Sequence, residues 1–233
     1  LTRLPVGPAA FGDTGLVRSA TWFPIVGLVV GGSAAATHAA ATEAGVAGAP
    51  ATVLALVAAF ALTGGLHEDG LADVADALGA HGARKRRVEI MRDPRVGTFG
   101  ALAVAVMVVL PVVTLAPLTT GDFAAAVICA HVLARWTILA QARLPVADPS
   151  SSAALVRPGW LTVVAGTVTA LAIVALVAGW EHAAVAAVTA AGVGAVASAV
   201  LLRVVGGVTG DTLGAVTKLV ELAVYVALAA RLA

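Results

Sequence analysis

The chain has 233 residues, of which 60% are hydrophobic, 12% charged and 4% aromatic, and its mean hydropathy is +1.00. Soluble domains run about 45–50% apolar and about 25% charged, so a water-soluble globule and a disordered chain are both excluded. An all-α, polytopic helical membrane protein remains. The formal net charge of +1 points to no nucleic acid or other polyanionic partner; the lipid bilayer is the partner that composition demands. The single Cys129 lies in an apolar run, which leaves no intrachain disulfide and no thiolate cluster. The 25 glycines, with abundant Ala, suit close helix approach through small residues. No cleavable signal peptide is evident, and a chain that opens at Leu1 is expected to lack at least its initiator methionine.

Apolar stretches of roughly 20 residues, the length that crosses a bilayer core, fall at about 22–41, 49–66, 98–118, 123–143, 160–180, 183–205 and 211–231. Seven spans within one domain, 1–233, are therefore expected. Arg3 and Arg18 precede the first span, and no Lys or Arg lies near 42–49. Arg84, Lys85, Arg86, Arg87, Arg92 and Arg95 lie between the second and third spans, Arg143 and Arg157 between the fourth and fifth, and Arg203 before the last. Basic residues thus alternate between loops, which predicts a cytoplasmic N-terminus and a cytoplasmic 67–97 segment. That segment holds Glu68, Asp69, Asp73, Asp76, Glu89 and Asp93 beside its bases. Its apolar residues recur at helical spacing, so two short amphipathic helices at the membrane surface are predicted over 70–80 and 83–92, the second ended by Pro94.

Chemistry concentrates in four places. In the run Thr63 to Asp76, Asp69, Asp73 and Asp76 stand at i, i+4 and i+7, on one face of a helix. Such carboxylates repel one another unless a cation lies between them, and hard oxygen donors suit Mg²⁺ or Mn²⁺ shared with substrate phosphates; a solvated acidic face is the plain alternative. His67 beside them is either a base, a phosphate donor or a structural partner of an Asp. In Glu89 to Gly100, Arg92 and Arg95 flank a Gly97-Thr98 turn that enters a helix, which suits pyrophosphate, whereas Arg84 to Arg87 read as a topological anchor. In Gly206 to Ala215, a glycine-rich turn offers backbone N–H groups at Thr209 and Gly210, and Asp211 either caps the helix or ligates metal. Inside spans, Arg135, four residues after His131, needs an anion or an ion-pair partner, and Lys218 and Glu221 suit a pair.

These residues resemble the adenosylcobinamide-GDP ribazoletransferase (cobalamin synthase) family almost end to end. The likeness takes in Thr2-Arg3-Leu4-Pro5-Val6, Phe23-Pro24-Ile25-Val26-Gly27, the His67 to Asp76 run, Glu89-Ile90-Met91-Arg92-Asp93 with Arg95 and Gly97-Thr98, and Gly206-Gly207 with Thr209 to Ala215. Glu68 stands where the family is usually apolar and Lys218 where it usually has an acid. The resemblance implies a Mg²⁺-dependent enzyme that joins adenosylcobinamide-GDP to α-ribazole, or its 5′-phosphate, and releases GMP. It implies metal ligands among Asp69, Asp73, Asp76 and Asp211, catalytic roles for Asp69, Asp73 and His67, and substrate contacts from Arg92, Arg95, Arg135, Thr209 and Gly210. Oligomeric state is left open, a homo-oligomer included. The spacing Gly65, Asp69, Asp73 also resembles part of the CDP-alcohol phosphotransferase signature, so a lipid-alcohol transferase is the runner-up. The upstream Asp-Gly element of that signature is missing. A transporter is the reading from another class, but its acids belong near mid-bilayer.

Overall fold

The computed structural model describes residues 1–3, 19–147, 153 and 156–232. Leu4 to Val6 of the first motif and Arg18 lie outside them. A 3-10 turn at Ala20–Trp22 leads into α1 (Phe23–Glu43). Then follow α2 (Ala49–Thr63), α3 (Leu66–Gly79), α4 (Arg84–Met91), α5 (Thr98–Leu115), α6 (Thr120–Gln141), α7 (Trp160–Val204) and α8 (Gly210–Leu232). Pro24 and Pro50 stand in the first turns of α1 and α2, where a missing N–H costs nothing.

Five of these helices are long and apolar enough to cross a membrane. One of the five, α7, has 45 residues and breaks at Gly179, whose φ of 76° and ψ of 163° only glycine adopts readily. Its two arms fold back on each other. The Trp136 indole donates to the Thr167 hydroxyl at 2.9 Å, and Gly194 packs on the Thr137 side chain. Residues that a straight helix would hold about 40 Å apart thus touch the same turn of α6. The fifth and sixth expected spans are these arms, with their turn at Gly179 rather than at 181–182.

The expected second span is shorter than predicted. Its helix, α2, has 15 residues, about 22 Å of rise, and stops at Gly64 and Gly65, both left-handed with φ of 70° and 72°. The chain there bends by 91° into α3. The predicted amphipathic helix at 70–80 in fact starts at Leu66, so His67, Glu68 and Asp69 occupy its first turns. It is no free surface helix either: His67, Gly70, Leu71, Val74 and Ala77 are buried.

At the centre runs α6, buried along most of its length among α1, α7 and α8. Small residues allow this. A Cβ on Gly27 would collide with the His131 carbonyl and lie 2.6 Å from the Val132 Cα, and one on Gly31 would lie 2.8 Å from the Ile128 Cα. The Gly27-x-x-x-Gly31 spacing therefore lets the two backbones touch. Gly27→Leu is expected to push α1 off α6 and to eliminate the monodisperse species on size-exclusion chromatography in detergent; a monodisperse variant with wild-type melting would contradict this packing. Outside the core, α5 and α7 expose Leu102, Val109, Val113, Leu161 and Leu176, a surface suited to lipid rather than water.

Candidate active site

The opening of α8 is built from its own sequence. The Thr209 hydroxyl accepts from the Thr212 N–H at 3.2 Å and the Thr212 hydroxyl accepts from the Thr209 N–H at 2.7 Å, a reciprocal cap. Just before it, the Val208 N–H donates to the Pro145 carbonyl at 2.8 Å and the Ala147 N–H to the Val208 carbonyl at 3.0 Å. Gly207 has no room for a Cβ against this strand-like contact. Thr209 is buried; its hydroxyl accepts in the cap and also hydrogen-bonds the Asp211 carboxyl, which ties it to that acid where a substrate contact was expected, and Gly210 opens the helix beside it.

This rigid corner receives α3. A Cβ on Gly70 would lie 2.8 Å from the Asp211 carbonyl oxygen, and one on Gly214 would lie 3.3 Å from the His67 Cα. The two helices therefore run in opposite senses with their backbones nearly touching. That contact sets Asp69, on the exposed side of α3, beside Asp211 on the first turn of α8. Asp73, one turn on, is half-buried. Its carboxyl is raised from 3.8 to about 6, first by burial and then by the charges of Asp69, Asp211 and Asp76. Among the described residues, Asp69, Asp73 and Asp211 make no ion pair with Lys or Arg. Nor are three acidic, His or Cys side chains gathered there closely enough to form a ready metal ligand set. Asp69, Asp73 and Asp211 are thus a concentration of negative charge whose side chains would have to close in around an ion.

Asp76 is engaged elsewhere. Its carboxylate accepts from the Gly97 N–H at 2.7 Å and the Gly100 N–H at 2.8 Å. A Cβ at Gly97 or Gly100 would strike that carboxylate. The Gly97-Thr98-Phe99-Gly100 turn therefore cradles Asp76, and the N-terminus of α5 already holds an anion where a pyrophosphate was expected. Asp76→Asn replaces one of the two acceptor oxygens with an amide. A loss of about 0.5–2 kcal/mol, the worth of a helix cap, is expected in thermal melts; melting unchanged from wild type would contradict this cradle.

Of the two expected phosphate-binding arginines, Arg95 is exposed and forks onto Asp93, with Nε–Oδ1 at 2.9 Å and Nη2–Oδ2 at 2.6 Å. These hydrogen bonds hold Asp93 down at about 2. Arg95 lines an open pocket with Asp76, Ile90, Asp93, Gly97 and Phe99. Arg92 ends α4 on the exposed surface. Arg84 does more than anchor: its Nε and Nη2 donate to the Arg203 carbonyl at 3.2 and 3.0 Å, capping the end of α7.

Arg135 is not at the acids. It is buried and pairs with Glu221, itself fully buried. His131 Nδ1 lies 2.9 Å from Glu221 Oε1, and the Tyr225 hydroxyl lies 3.2 Å from His131 Nε2. Lys218 pairs with Glu221 and, at 2.8 Å, with Glu68. The ion-pair reading of Arg135 is the one this arrangement supports. The two departures from the family pattern, Glu68 and Lys218, prove to be partners. Glu68 points away from Asp69 on α3, and its partner Lys218 lies 150 residues away in sequence, so the sequence alone gives no sign of the pair. His67 is buried beside this network, with Nε2 unpartnered among the described residues.

A family model described as cobalamin-5-phosphate synthase matches residues 1–229. The adenosylcobinamide-GDP ribazoletransferase of Mesorhizobium japonicum is 38% identical over 182 residues, 76% of this chain and 70% of that protein. Its namesake in Bradyrhizobium diazoefficiens is 36% identical over 178 residues, 74% and 68% of the two chains. That of Chlorobaculum tepidum is 35% identical over 185 residues, 78% and 72%. No solved structure matches. A match over residues 1–229, nearly the whole length, makes this chain a member of the cobalamin-5-phosphate synthase family.

Proposed function

We propose that this chain is a membrane transferase of late cobalamin synthesis, joining adenosylcobinamide-GDP to α-ribazole or its 5′-phosphate with release of GMP. The observation that carries this reading from the structure is the meeting of Asp69, Asp73 and Asp211 where α3 crosses α8. A ribose hydroxyl oxygen of the acceptor bonds to the phosphorus next to the cobinamide arm. The bond from that phosphorus to the bridging oxygen breaks, and GMP carries the oxygen away. The hydroxyl proton passes to a base within the set Asp69, Asp73 and His67. Such a displacement needs positioning and charge neutralisation above all.

Asp69, Asp73 and Asp211 suit a Mg²⁺ ion by donor type and by their mutual repulsion, and Asp76 does not. When bound, that ion would neutralise charge on the transferring phosphates. Arg95, beside Asp76 at the C-terminal end of α3, and Arg92, at the end of α4, are the candidates to take non-bridging phosphate oxygens, Arg95 by exchanging Asp93 for the substrate. Placement on the cytoplasmic face is supported by the grouping of basic loops. The Arg84–Arg203 contact and the Val146–Val208 bridge draw the 84–95, 143–147 and 203–208 segments to one end. The Arg3 N–H, bonded to the Leu62 carbonyl at 2.9 Å, brings the N-terminus near the α2–α3 bend.

The family match weighs against a lipid-alcohol acceptor. Purified protein given adenosylcobinamide-GDP is expected to release GMP with α-ribazole and not with diacylglycerol; release with the lipid alcohol alone would overturn the assignment.

A further inference from the structure

We propose that Glu68 and Lys218 are positioning residues: their buried ion pair locks α3 to α8 in the register that sets Asp69 beside Asp211. The catalytic consequence rests on the transferase reading above. At its N-terminal end α3 is joined to α2 only through Gly64 and Gly65, so helix continuity does not fix its direction or its height. At Gly70 and Gly214 the two helices meet backbone against backbone, and a contact between glycines has no side chain of its own to resist sliding.

The directional tie at this seam is the Lys218 ammonium, 2.8 Å from Glu68 and also paired with Glu221. Through Glu221 it reaches Arg135 on α6, so α3 is referred to the centre of the bundle. Lys218 and Glu68 are 6% and 15% exposed in their side chains, so water screens the pair little. Two cations, Arg135 and Lys218, balance two anions, Glu221 and Glu68. Glu68 is the immediate neighbour of Asp69. A slip of α3 by one residue is about 1.5 Å along the helix, and displacements near 1 Å at a reacting centre cost about 100-fold.

An apolar replacement separates positioning from folding. Removing both charges in Glu68→Leu/Lys218→Met leaves Arg135 and Glu221 balanced, and buried pairs replaced this way generally keep their fold. The double variant is expected to melt close to wild type, to lose at least about tenfold in kcat with KM kept within about twofold, and to exchange amide hydrogens over 66–72 at least about tenfold faster. The reversed pair, Glu68→Lys/Lys218→Glu, is expected to recover kcat to within about threefold of wild type. Turnover within twofold of wild type in the apolar variant, or a reversed pair no better than it, would overturn the proposal. Should the apolar variant fail to fold, Glu68→Gln, which keeps the shape and loses the charge, is read by the same kcat, KM and exchange measurements. If wild-type protein itself releases no GMP, the transferase reading fails, and the exchange rate over 66–72 alone decides the tie; unchanged exchange overturns it.

Discussion

Asp73→Asn is expected to lower GMP release by more than about 100-fold and to leave the protein folded and inserted. Asp73 is the acid of the α3–α8 corner on which burial and three like charges converge, and it is therefore the one a bound cation would relieve most. The same shift fixes the sign of its effect on stability. With the folded-state value raised from 3.8 to about 6, the folded chain holds this proton more tightly than the unfolded chain. The ionised carboxylate opposes folding as the pH passes 3.8, and the full cost is reached above about 6. Asn removes that cost, so at neutral pH the variant should melt at or above the wild-type temperature. Many functional sites trade stability for activity in this way. Retained turnover, or loss of membrane insertion, would take Asp73 out of the proposed metal site.

Glu221→Leu is expected to have the largest effect on stability. Glu221 is fully buried and is the acid that Arg135, Lys218 and His131 share. Without it, two buried cations face Glu68 alone, and an uncompensated buried charge costs about 3–5 kcal/mol. In a domain of this size each kcal/mol moves Tm by about 2–4 °C, so a fall of at least about 6 °C in detergent is expected. Melting within 2 °C of wild type would mean that the network is not what holds α6 and α8 together.

Much of this was legible because it is local. Hydropathy located the traversing segments, and the spacing of Asp69 and Asp73 survives into α3 because four residues are close to one helical turn. The left-handed Gly64 and Gly65 permit the break between α2 and α3, but its angle is set by what α3 packs against, which hydropathy does not carry. What the sequence hid was partnership across the chain. Asp76 shares its helical face with Asp69 and Asp73, and only the approach of α5 reveals that its oxygens are spent on Gly97 and Gly100. Arg135 and Glu221 lie 86 residues apart. Each looks like an unpaired intramembrane charge until α6 and α8 are side by side. Gly207 and Thr209 read as an anion-binding turn and are taken up by the chain's own backbone and cap. In all these places the sequence supplied the right residue types for binding a phosphate or a metal, and the fold had already given some of them an internal partner.

In the proposed reaction, acids at the α3–α8 corner bind a divalent ion for coupling a nucleotide-activated corrinoid to a nucleoside. The deciding measurement is GMP release from detergent-purified protein supplied with adenosylcobinamide-GDP and α-ribazole, with Mg²⁺ and after chelation. GMP formed only when both substrates and Mg²⁺ are present is the predicted result. GMP formed without α-ribazole, or at the same rate after chelation, would contradict it.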